Sequence, residues 1–204
     1  ATMPPHITAN TGMDVMAHAV EAVASNAATA FTDPYAVQAI KMVLDTLPTA
    51  YAEPKNLEAR LAMHEASALA GMAFTNASLG LVHSMAHKIG GEFGVTHGLA
   101  NAILLPYVIA YNRKFSNKYT YAEKLLGLQD LSAAIQEMNK KMDIPSCFKD
   151  CTEVDFNEAK FKEVLARMSQ HAFEDPCTLT NPGKPTAADV QMLFEAAYYG
   201  KAVN

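Results

Sequence analysis

The apolar positions of this 204-residue chain recur every three to four residues, and that spacing predicts helices almost throughout. Over residues 12 to about 28, Met13, Met16, Ala17, Val20 and Val23 make one apolar face, while Asp14, His18 and Glu21 fall on a neighbouring polar stripe. Asp33-Pro34 marks a second helix start, and Val37, Ile40, Leu44 and Leu47 follow on one face until Pro48, where the helix is expected to stop. Residues 56–76 form a third helix, whose uncharged run over 66–74 predicts a second half buried on all sides. A fourth spans 80–90 and is expected to break at Gly90-Gly91, with a short loop over 92–96 after it. A strongly apolar helix over 98–112 follows, bent at Pro106. Amphipathic patterns continue from Lys114 through Lys141, and Asp143-Ile144-Pro145 ends them. Another helix covers 155–173, a turn-rich loop 174–184, and a final helix 185–200 with Thr186 near its start. No alternating run is long enough to argue a strand. The expected fold class is therefore all-α, a multi-helix domain.

Composition narrows the functional classes. Sixteen Lys+Arg against 21 Asp+Glu leave a formal charge of −5, so no basic surplus exists for a nucleic-acid backbone. The longest apolar stretch, 99–111, is interrupted by Asn101 and Pro106 and falls short of the roughly 20 residues that span a bilayer, so no membrane partner is expected. Cys147, Cys151 and Cys177 are an odd number with no C-x-x-C pair, which fits a reduced, cytoplasmic setting better than a disulfide framework. Ala1 stands where a starting methionine would be, and the sequence reads as an excerpt from a longer protein.

The histidines carry the candidate chemistry. His83, His87 and His97 lie within 15 residues, and Asp14 and His18, like His83 and His87, are four apart on a helix, a spacing that projects both side chains from one face. Carboxylate and imidazole donors without a thiolate suit a borderline divalent ion such as Fe²⁺ or Zn²⁺. The competing reading is a set of packed core histidines, and it applies outright to His6, His64 and His171. Other metal and nucleotide motifs are excluded by inspection. The 83–87 segment, HSMAH, lacks the glutamate that follows the first histidine of a zinc-protease helix. No phosphate loop, G-x-S-x-G turn or G-x-G-x-x-G fingerprint occurs.

Three segments in order, TGMDVMAHAVE at 11–21, GLVHSMAH at 80–87 and THGLANA at 96–102, resemble the signatures of the iron-containing (group III) alcohol dehydrogenases, within the dehydroquinate synthase-like superfamily. The tail, with Cys177, Asn181-Pro182 and Tyr198-Tyr199-Gly200, is most similar to the alcohol dehydrogenase half of bifunctional aldehyde-alcohol dehydrogenases. The resemblance implies that residues 1–204 are the C-terminal helical, metal-binding and substrate-side domain. An N-terminal nucleotide-binding domain of the same parent protein, absent from this sequence, would hold NAD(P). By the same resemblance Asp14, His18, His83 and His97 match metal ligands for Fe²⁺, with Zn²⁺ as the other candidate. His87 matches a catalytic histidine beside the nicotinamide that is not a ligand, and Phe74, Leu79 and Cys177 match residues of the substrate pocket.

The function so implied is interconversion of short-chain aldehydes and primary alcohols by an NAD(P)-dependent enzyme. The metal would act as Lewis acid and His87 as the proton shuttle. The isolated chain is expected to be inactive, and homo-oligomers are expected of the parent. Two alternatives stay open: a helical assembly or interaction domain with a vestigial metal site, and a zinc-dependent enzyme resembling glycerol dehydrogenase. The second pattern uses one carboxylate and two histidines, and the additional His18 argues for the iron type.

Overall fold

The computed structural model describes residues 2–203, which contain nine α-helices and no strand. They are α1 Pro5–Ala24, α2 Asp33–Ala52, α3 Leu57–Ala77, α4 Leu81–Phe93, α5 His97–Asn112, α6 Lys118–Leu126, α7 Leu131–Lys141, α8 Glu158–Phe173 and α9 Ala187–Tyr199. Two short 3₁₀ turns, Phe148–Asp150 and Pro176–Thr180, punctuate the C-terminal third. α1 is the central element. It packs on α2 and α3 on one side and on α5 on the other, and α4, α8 and α9 build outward from α5. Met13, Met16, Ala17, Val20 and Val23 are all essentially buried, as their spacing predicts. The fold class is all-α.

Several boundaries differ from the sequence expectation, each for a physical reason. α1 begins at Pro5 rather than near residue 12, because proline's fixed φ suits a first helical turn, and it ends at Ala24. α2 runs through Pro48 to Ala52: buried Leu47 and Ala50 pin both sides of the proline, and packing outweighs the lost hydrogen bond. α4 passes through Gly90 and Gly91, and the stop is Gly94, whose φ of 78° is the left-handed conformation and whose N–H caps Gly90 O. Buried Ile89 and the stack of Phe93 on Phe156, 4.9 Å between centroids, hold that last turn. The second half of α3 is not buried all round. Ala66, Ala70, Ala73 and Ala77 form a buried seam, while Met72 is 52% exposed. The small residues there serve a close helix contact on one face only.

Pro106 leaves α5 helical, and the cost it imposes is met from another element. Proline has no N–H, so the carbonyl of Ala102, four residues earlier, loses its intrahelical donor. Asn139 of α7 supplies one, donating Nδ2 to Ala102 O at 2.9 Å. Thr186 forms a capping box with Asp189 at the start of α9, in agreement with its expected place.

The tightest crossing lies between α1 and α5. A Cβ on Gly98 would sit inside the backbone carbonyl of Asn10, so only glycine permits the two helices to approach this closely. Asn10 Nδ2 donates to Thr96 Oγ1 at 3.0 Å and ties the same crossing to the start of α5. Gly98→Ala is accordingly expected to destabilise the chain by about 3 kcal/mol or more in urea denaturation, because the obstacle is backbone and cannot rotate away. Gly71→Ala is the control. Nothing lies within 4 Å of a Cβ there, and the change should be neutral or stabilise by up to about 1 kcal/mol.

Candidate metal centre

One helical turn along from that crossing, α1 and α5 present Asp14, His97 and Asn101 to one another, and α4 brings His83 to the same point. Asp14 Oδ1 lies 3.3 Å from His97 Nε2 and 3.6 Å from His83 Nε2, and the three donor atoms all fall within 4.8 Å of one another. An ion with bonds of about 2.1 Å in tetrahedral geometry holds its ligand atoms roughly 3.4 Å apart, so these spacings fit a divalent cation. His83 is 1% exposed and forms the floor, whereas Asp14, His97 and His87 are partly open to solvent. The rings of His87 and His97 stack at the mouth, 5.5 Å between centroids and 12° between planes.

The orientation of His83 is set by Glu21, two helical turns along α1 from Asp14. The Glu21 carboxylate accepts from His83 Nδ1 at 2.6 Å and from the Val82 backbone N–H at 2.6 Å. It therefore satisfies the first turn of α4 and fixes the imidazole so that Nε2 faces Asp14. Burial alone would depress the His83 pKa, but its contacts with Asp14 and Glu21 win and raise it to about 9. For Asp14, burial is likewise overcome by His83, His97 and His18, which hold its carboxyl well below the usual carboxylate range. An arrangement that binds a proton so firmly between two carboxylates also favours a cation.

The other sequence candidates are distributed around this point. His18 lies against His83, with ring centroids 4.3 Å apart, but its Nδ1 is engaged at 2.7 Å with the backbone oxygen of Asp14, and the close donor group is Asp14, His83 and His97. Burial, then the charge of His83, lowers the His18 pKa. Phe74 packs on His18 at 4.5 Å and lines a cavity of about 460 Å³ that also touches Asp14, Thr11, Arg60 and His64. Leu79 and Cys177 lie outside that lining, joined to each other through Thr180, whose hydroxyl donates to Leu79 O at 2.7 Å and contacts Cys177 O at 3.3 Å.

His87 belongs to a second group with Asp175 and Cys177. The buried Asp175 carboxylate engages His87 Nδ1 at 3.1 Å, Lys88 Nζ at 2.7 Å and the backbone N–H of Cys177 at 3.0 Å. Burial works against ionisation of Asp175, yet Lys88, that N–H and His87 bring its pKa down to about 2. Burial and then the Asp175 charge push the Cys177 thiol up to about 12, so Cys177 is a neutral thiol rather than a thiolate. Sequence reasoning assigned no role to Glu21, Asn101 or Asp175. Glu21 carried a signal, since it shares the polar stripe of Asp14 and His18, and Asn101 stands four residues after His97; Asp175 carried none.

The fold and these donors define a helical metal-binding domain. The profile described as the Fe-containing alcohol dehydrogenase family, C-terminal, matches residues 8–198, and the chain belongs to that family. It is 44% identical over its whole length to an NADPH-dependent butanol dehydrogenase of Clostridium saccharobutylicum, of which it covers 54%. Over 98% of the chain it is 38% identical to an aldehyde-alcohol dehydrogenase of Streptococcus pneumoniae, covering 25% of that protein. Among solved structures, the iron-containing alcohol dehydrogenase of Thermococcus thioreducens superposes with a TM-score of 0.88 at 34% identity, covering 98% of this chain and 52% of that one. The chain thus spans about half the length of the butanol dehydrogenase and of the Thermococcus enzyme. No helix among the described residues is long and apolar enough to cross a membrane.

Asp175 offers a stability test of this electrostatic arrangement. Its folded pKa lies below the ordinary value of 3.8, so its contribution is complete above about pH 4 and is lost as pH falls toward about 2. Asp175→Asn should cost about 2 kcal/mol near neutral pH in urea unfolding, and the gap from the unsubstituted chain should close on acidification through that window.

Proposed function

We propose that this chain is the metal-binding, substrate-side domain of an NAD(P)-dependent alcohol dehydrogenase acting on short-chain aldehydes and primary alcohols. The observation that carries the reading is the convergence of Asp14, His83 and His97, with Glu21 on the far nitrogen of His83. Asp14, His83 and His97 would hold the ion, joined by His18 after a change of ring orientation that frees its nitrogen from the Asp14 carbonyl. When bound, a divalent ion supplies Lewis acidity to the substrate oxygen, and NAD(P), carried by a nucleotide domain of the parent protein, supplies the hydride acceptor or donor. The length of the relatives, about twice that of this chain, supports such a further domain.

The residues of the chain divide the remaining work. Asp175 holds His87 by Nδ1, which leaves Nε2 to accept or return the proton of the alcohol hydroxyl. Phe74, with Leu79 and Cys177, would supply apolar walls that admit a short carbon chain and keep water from the reacting oxygen. A second reading concerns the ion alone. The close group of one carboxylate and two histidines is a three-ligand arrangement that suits Zn²⁺, and the engagement of His18 Nδ1 with Asp14 O favours it.

Metal analysis after reconstitution tests both readings. About one divalent ion per chain is expected, with His97→Ala and His83→Ala each weakening uptake strongly. Uptake indifferent to both substitutions would overturn the metal centre. His18→Ala separates the readings: lost affinity supports four ligands, and unchanged affinity supports three. The chain alone should not oxidise ethanol with NAD⁺, and robust turnover would show that the nucleotide site lies within it.

A further inference from the structure

The Asn181-Pro182 pair of the tail belongs to none of the groups described above. Asn181 is 1% exposed, and both ends of its carboxamide are fully engaged. Oδ1 accepts from the backbone N–H of Leu81 at 3.1 Å and from Asn112 Nδ2 at 3.0 Å, while Nδ2 donates to Asn112 Oδ1 and to Pro182 O, both at 2.8 Å. Leu81 is the first residue of α4, whose initial N–H groups have no partner inside the helix. Asn181 takes the first of them and Glu21 the second. Both reach α4 through the space that Gly80 leaves, since a Cβ there would stand 2.8 Å from Asn181 Oδ1 and 2.9 Å from Glu21 Oε1.

The grip is repeated along α4. Thr178 Oγ1 lies 2.7 Å from Ser84 Oγ, about one turn beyond Leu81, and the Asp175 carboxylate engages His87 Nδ1 and Lys88 Nζ about one turn further. The segment 175–181 therefore runs antiparallel to α4 and holds it at three successive turns. Neither sliding nor rotation of the helix is possible without breaking one of these hydrogen bonds. His83 lies between the first two grips, and His87 is part of the third.

We propose that Asn181 is a positioning residue for His83. It anchors the 175–181 segment as a strap that sets the rotation of α4, and with Glu21 it keeps the imidazole Nε2 turned toward Asp14. The inference rests on the metal-binding reading of Asp14, His83 and His97 for its effect on an ion, whereas the positioning is a property of the metal-free chain. A purely structural amide would contribute stability alone. A positioning amide also fixes the length of the Glu21–His83 hydrogen bond.

The test follows the His83 Nδ1 proton by NMR in the metal-free 204-residue chain, assigned by its loss in His83→Ala, and then Zn²⁺ affinity by competition with a chelator. In Asn181→Leu, of similar volume, that resonance should move upfield as the bond to Glu21 lengthens, and Zn²⁺ should bind about 10-fold more weakly. Asp130→Ala, which removes the side-chain cap of α7, should lower the urea midpoint without moving either readout. If Asn181→Leu proves unable to fold by circular dichroism, Thr178→Val decides, because it removes the second grip at nearly constant shape; the same two readouts should move in the same directions. An unmoved His83 resonance in the deciding variant, an equal movement in Asp130→Ala, or unchanged affinity in a chain that otherwise binds Zn²⁺ would overturn the assignment. Failure of the unsubstituted chain to bind Zn²⁺ would remove the metal-centre reading, and the His83 resonance would then decide the positioning by itself.

Discussion

The close crossing of α1 and α5 at Gly98 is the constraint on which the candidate site depends. The absence of a side chain at Gly98 lets the Asn10 backbone approach, and the Asn10–Thr96 hydrogen bond fixes the register of the two helices. With that register set, the next turn of each helix is a consequence of geometry: Asp14 lies four residues beyond Asn10 and Asn101 three beyond Gly98. Their side chains meet at 2.6 Å. α4 then joins through Glu21, which serves the N–H groups of its first turn and the imidazole of His83 with one carboxylate. A site assembled from three helices is thereby tied to a single backbone contact and a single buried acid.

The same electrostatic device appears twice. Glu21 backs His83 and Asp175 backs His87, each carboxylate engaging the Nδ1 side of its ring, and for His83 this leaves Nε2 to face Asp14. Burying carboxylates is costly unless each is paired and hydrogen-bonded, and both are: Glu21 by His83 and the Val82 N–H, Asp175 by Lys88, His87 and the Cys177 N–H. The difference in depth matches the difference in proposed role. His83 is sealed in the interior as a fixed support, while the side chain of His87 is 40% exposed, where a proton exchanging with solvent must be.

Much of this was legible in the sequence because it is local. The three-to-four spacing placed α1, α3 and α5, and the i, i+4 pairs Asp14/His18 and His83/His87 projected from single faces, as found. What escaped depended on partners distant along the chain. Whether Pro48 ends a helix is decided by the burial of Leu47 and Ala50, and which of three glycines stops α4 is decided by Phe93 finding Phe156. Local composition cannot distinguish a helix buried on all sides from one with a single alanine seam, as in α3. Asp175 lies 88 residues from His87, and Asn101 reads in sequence as one polar break in an apolar run. The motifs that carry the candidate ligands were visible; the residues that aim those side chains were not, because their contacts exist only after the helices cross.

The central claim is that α1, α4 and α5 are folded together around one divalent cation. Anomalous diffraction from crystals of the chain grown with Zn²⁺, recorded on both sides of the metal's absorption edge, addresses it most directly. The account predicts one dominant anomalous peak within bonding distance of Asp14 Oδ1, His83 Nε2 and His97 Nε2. Zinc found only at surface side chains, with no density among those three atoms, would contradict it.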